Sequence, residues 1–87
     1  MGEGIPSADI QITNNSFQSP VIKVAPGTEV IWVNNDLTPH TVTADDGSFD
    51  SGVINANVVF SHRFQNKGIF RYHCEIHLHS HGEIVVE

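Results

Sequence analysis

The sequence is short of several things. It has one cysteine, one methionine and only four Lys and Arg residues in 87. A single cysteine excludes an intrachain disulfide, so cysteine usage says little about redox compartment. The shortage of basic residues, against ten Asp and Glu and a formal charge of -6, argues against nucleic-acid binding, which needs cations to meet phosphates. It equally disfavours docking on anionic lipid, but suits a basic protein partner or plain solubility. No apolar run is long enough to span a membrane. Met1-Gly2-Glu3-Gly4 offers neither the basic nor the apolar region of a signal peptide. No helical periodicity of useful length is present, and neither are repeats, linkers or a phosphate-cradling glycine loop. No Ser/His/Asp arrangement or paired carboxylates stand out, so the chain does not read as an enzyme.

Turns and short alternating runs are present instead. Met1 to Ser7 is polar and expected to fray. Asp9 to Thr13 alternates as a half-buried strand should, and Phe17 with Pro20 to Val24 reads as a second strand. Glu29 to Asn34 is apolar on both faces and reads as a central strand, with Trp32 in the core. His40 to Ala44 reads as a short strand, followed by an acidic, turn-rich stretch to about Asn57. Val58 to Phe64, Ile69 to His73 and Glu83 to Glu87 complete the set. The apolar fraction of 39% suits one soluble domain over 1-87. Short strands separated by turns indicate an all-β sandwich or barrel.

Chemistry concentrates in Phe70-Arg71-Tyr72-His73-Cys74-Glu75-Ile76-His77-Leu78-His79-Ser80-His81-Gly82, which holds the only cysteine and four of the six histidines. Cys74 and His77, three positions apart, can share one metal ion. Thiolate with imidazole favours copper, with zinc as the main competitor. Alternation puts Cys74 on the side of Phe70 and Tyr72 and His73 on the opposite side. His40, just after Pro39, supplies a second histidine, and two histidines with one cysteine are the trigonal set of blue-copper sites. An inert core thiol is the plain alternative for Cys74.

His77, His79 and His81 would share one face of an extended segment, able to bind zinc, nickel or copper without the thiolate. Otherwise His79 and His81 are solvated loop residues. His62 shares parity with Phe60 and Phe64 and reads as a packing histidine. Asp45, Asp46 and Asp50 read as a solvated loop or an acidic docking patch.

The chain resembles the cupredoxins, small type 1 blue-copper proteins, and especially their plastocyanin/amicyanin-like members. The likeness runs from about Phe17. It rests on Val24 to Val30, Trp32-Val33-Asn34-Asn35-Asp36, Pro39-His40-Thr41-Val42, Phe64 to Gly68, the cysteine loop and Gly82 to Val86. It implies a Greek-key β-sandwich of about seven to eight strands holding one copper ion, cycling Cu(I)/Cu(II), with His40, Cys74 and His77 as equatorial ligands. It implies a monomeric one-electron carrier, periplasmic or otherwise extracytoplasmic. The redox protein partner would dock near His77 and Leu78. Zinc can replace copper in recombinant cupredoxins. The family usually has an axial Met three residues after the second histidine; here that residue is Ser80. Otherwise the site is three-coordinate or takes water, the Pro39 carbonyl, His79 or His81 as its axial group. The family's Asn after the first histidine, which ties the ligand loops together, is Thr41 here. The alternative function is copper binding or trafficking, or an open copper site using His79 and His81.

Overall fold

Eight strands form two four-stranded sheets in the computed structural model, which describes residues 6–77 and 79–87. They are β1 Ser7–Thr13, β2 Ser16–Phe17, β3 Val21–Val24, β4 Thr28–Asn34, β5 Thr43–Ala44, β6 Val59–Phe64, β7 Gly68–His73 and β8 His81–Val86. One sheet runs β2-β1-β4-β6 and the other β3-β8-β7-β5. β1 pairs in parallel with β4, and β3 with β8; the remaining pairs are antiparallel. No helix among the described residues is long and apolar enough to cross a membrane.

The alternation of apolar residues fixes which face turns inward. Ile10 and Ile12 of β1, Val30 and Trp32 of β4, Tyr72 of β7, and Ile84 and Val86 of β8 are all buried in one cluster between the sheets. Trp32 has no exposed surface and lies against Phe49, Phe60, Phe64 and Tyr72, with ring centroids 5.3 to 6.4 Å apart. β4 is an interior strand, as its sequence requires.

Strand boundaries differ from expectation where backbone groups find other partners. Ser7 is not frayed: it pairs with Glu29, and Pro6 accepts from the Glu29 amide. Met1 to Ile5 lie outside the described residues. His40 to Ala44 is not a continuous strand, because the His40 amide and carbonyl bond to Ile54 (3.1 and 2.7 Å) and the Val42 amide donates to Ser51 Oγ (2.8 Å). Only Thr43–Ala44 joins the sheet, against β7. The long segment after Ala44 therefore folds back and walls in His40. At the other end, β8 begins at His81, because the cysteine loop closes earlier than the polar sequence suggests.

Candidate metal centre

Both loops that carry the candidate donors grow out of sheet ends. β7 carries Tyr72 into the core and then delivers Cys74, two residues on, to the same side. Cys74 has no exposed surface. The loop that follows is short and closed: the Cys74 amide donates to the Ser80 carbonyl (3.1 Å), and the Ser80 amide donates to the His77 carbonyl (2.9 Å). His77 is thereby turned back over Cys74. His40, 1% exposed, arrives from β4 through the loop 35–39.

These three side chains form a single donor group, with all ligand atoms within 4.8 Å of one another. Cys74 Sγ lies 3.7 Å from His40 Nδ1 and 3.9 Å from His77 Nδ1. Metal–sulfur and metal–nitrogen bonds of about 2.3 and 2.0 Å in a trigonal arrangement separate S from N by about 3.7 Å. The donor set therefore fits one ion held in common, and its mixed soft and borderline chemistry suits copper.

Neighbouring groups hold the donors in place. The Thr41 and His77 amides each donate to Cys74 Sγ at 3.4 Å, which stabilises negative charge on sulfur. Thr41 Oγ1 also accepts from the Glu75 amide at 2.8 Å. Thr41 thus ties the two ligand loops together, the task an Asn performs in the resembling family. His40 Nε2 meets Asp36 Oδ2 at 2.8 Å and Thr38 Oγ1 at 3.3 Å, leaving Nδ1 directed at the thiol. Burial pushes the Asp36 carboxyl up, but amide hydrogen bonds from Asn15 and Asn14, with His40, outweigh it and hold Asp36 below its ordinary value. Asp36 is therefore an anion behind His40. The sequence marks no role for Asp36, Thr38 or Asn15; nothing in a loop acid four residues before a histidine signals a partner.

The other sequence candidates fall elsewhere. His79 is exposed in the turn and His81 is exposed at the start of β8. The Ser80 amide donates to the His77 carbonyl, which makes a turn rather than the strand on which His77, His79 and His81 would share a face. Neither His79 nor His81 enters the donor group found among the described residues. The Ser80 side chain is buried and its hydroxyl donates to the Asn15 carbonyl. Pro39 is exposed beside His40, and Leu78 lies outside the described residues.

His73 faces away from Cys74 but is half-buried, between Asp45 and Glu75. The Asp45 hydrogen bond raises its pKa, burial opposes this, and Glu75 adds to the rise. Asp46 and Asp50 cap turns, accepting from the Ser48 and Gly52 amides. His62 stacks on Phe49 at 4.7 Å and meets the Phe64 ring edge-on at 4.8 Å, as a packing histidine should.

A two-sheet β-sandwich with a His-Cys-His donor set around a buried cysteine, between loops at one end, is the architecture of a cupredoxin. The family model described as cupredoxin-like domain matches residues 3–86, and the chain belongs to that family. It is similar to amicyanin-alpha of Methylorubrum extorquens, 28% identical over 93% of this chain and 72% of the relative. Amicyanin of Paracoccus denitrificans is 25% identical over 90% of this chain and 63% of its own length. Among solved structures, a purple cupredoxin from Nitrosopumilus maritimus superimposes with a TM-score of 0.84. It is 26% identical, covering 92% of this chain and 99% of its own.

Proposed function

We propose that His40, Cys74 and His77 hold one copper ion and that the protein is a one-electron carrier rather than an enzyme, working as a single domain over 1-87. The convergence of the three donor atoms around the buried Cys74 carries this reading. Bound copper supplies a Cu(II)/Cu(I) couple. The chain supplies a donor set that serves both states: imidazole and thiolate, fixed by Thr41, Asp36 and the closed cysteine loop. Because those contacts are made by the protein itself, little has to move when charge changes. Hydrogen bonds to sulfur and the packing around it tune the potential.

His40 is walled in by Ile54 and Asp36, whereas His77 is half-buried. His77 is therefore the ligand nearest solvent and the route for the electron. Exposed apolar residues flank the ligands in sequence: Leu37, 95% exposed, before His40, and Ile76, 45% exposed, beside His77. They suit the small, weak contact of a transient redox encounter. The donor chemistry favours copper over zinc, and the likeness to amicyanins favours an extracytoplasmic compartment. The trafficking alternative needs His79 or His81 at the metal, and the loop geometry favours neither.

Potentiometric titration of the copper-loaded protein tests the reading. One reversible one-electron wave within the range of biological carriers is expected. Irreversible or absent reduction would sink the carrier function.

A further inference from the structure

The Asn14-Asn15 turn joins β1 to β2 and belongs to neither ligand loop, yet it is bonded to both. The Asn14 and Asn15 amides donate to the Asp36 carboxylate at 2.7 and 2.8 Å, and Asp36 Oδ2 is the oxygen that meets His40 Nε2. Thr38 Oγ1 donates to Asn15 Oδ1 at 3.1 Å. On the other side, the Ser80 hydroxyl donates to the Asn15 carbonyl, across 65 positions of sequence. Asn14 and Asn15 both have left-handed backbones, with φ of 55° and 59°. Asn tolerates that conformation better than most residues, and it is what turns both amides toward one carboxylate.

A continuous path therefore runs from His40 through Asp36 and Asn15 to Ser80, whose own backbone closes onto Cys74 and His77. We propose that Asn15 and Ser80 are a positioning pair that fixes the two ligand loops relative to each other, with Ser80 a strut rather than an axial ligand. The proposal rests on the copper reading above. A serine hydroxyl has one proton and a short reach. Here the proton is given to Asn15, and the Ser80 amide and carbonyl are both engaged within the loop. Turning Oγ toward a metal would break the bond to Asn15 and leave a part-buried carbonyl unpaired. The protein then contributes three strong bonds to copper, and the Asn14-Asn15 turn stands in for a fourth constraint.

The test compares Ser80→Ala and Ser80→Thr with the unaltered protein, each loaded with one equivalent of Cu(II). For Ser80→Ala the sulfur-to-copper charge-transfer band should keep its position. Loss of copper to an excess of chelator should quicken about five- to tenfold, the scale of one hydrogen bond. Ser80→Thr, which keeps a hydroxyl, should restore the slow rate. In the metal-free proteins, hydrogen exchange at the Cys74 and Asn15 amides should quicken in the alanine variant alone. A shifted band in Ser80→Ala would identify Ser80 as a ligand and overturn the proposal. Unchanged copper loss and unchanged amide exchange would overturn it as well. If the unaltered protein shows no band at one equivalent, the copper reading itself fails, and the metal-free exchange still decides the strut.

Discussion

At the scale of single residues, Asp36 gives the metal centre its electrostatic character. A carboxylate 2.8 Å from His40 Nε2 makes that imidazole a better donor and favours the more highly charged metal state. Asp36→Asn keeps a hydrogen-bonding shape but removes the charge. Its reduction potential should rise by roughly 40 mV, the equivalent of about 1 kcal/mol for one electron. A potential that falls or does not move would show that Asp36 only fills space. His62 gives a second prediction. Burial against Phe49 and Phe64 lowers its pKa from the ordinary 6.5. The unfolded chain therefore takes up a proton more readily than the native one below that value. Stability attributable to neutral His62 is fully present above pH 6.5 and declines as pH falls through and below it. His62→Phe keeps the aromatic stack and lacks the proton. Between pH 7 and 5, denaturant titrations should show the unaltered protein losing stability relative to this variant. Parallel curves would contradict the assignment.

At the scale of elements, the β7–β8 pair does the most to place the proposed ligands Cys74 and His77. Tyr72 and Gly82 are cross-strand partners, and the Tyr72 ring lies directly over Gly82. A Cβ there would come within 2.1 Å of Tyr72 Cζ, so the ring or the strand would have to move. The phenol has nowhere easy to go: it packs edge-on to Phe17 and Trp32, at 4.7 and 5.3 Å. Its burial, partly opposed by the Trp32 indole, pushes its pKa up to about 12. Gly82→Ala should cost about 1–3 kcal/mol, as overpacking does, and should loosen copper binding, because β8 begins one residue before it. Thermal unfolding with and without metal checks this; an unaltered midpoint would mean that the two strands tolerate the extra carbon. Most strands were legible from alternation or, for β4, from apolar residues on both faces, and Cys74 could be placed on the inner face by counting from Tyr72. Phe17 and Val21 to Val24, expected as one strand, are instead β2 and β3 of different sheets. The stretch 40–44 was not, because its apolar pattern suits a strand while its backbone is claimed by Ile54 and Ser51. Such long-range pairings leave no mark on local pattern. The same is true of Asn15: its sequence says turn, and only the fold shows which loops the turn supports. The three donor residues were legible because thiolate and imidazole chemistry admits few alternatives. The hydroxyl of Ser80 could be placed only once its neighbour across the β1–β2 turn was known.

At the scale of the whole molecule, the sandwich separates two tasks. Its centre holds the aromatic core around Trp32. One end gathers β4, β7 and two loops around one buried sulfur. Four Lys and Arg against ten Asp and Glu leave the surface acidic, which suits encounter with a basic partner and makes the encounter rate sensitive to salt. The central claim is that one copper ion sits between His40, Cys74 and His77. Titration of the metal-free protein with Cu(II), followed by visible absorption and EPR, tests it most directly. An intense charge-transfer band that saturates at one equivalent, with narrow copper hyperfine splitting, is the expected result. A pale spectrum with wide splitting, or uptake that continues beyond one equivalent, would place the metal on the outlying histidines and contradict the account.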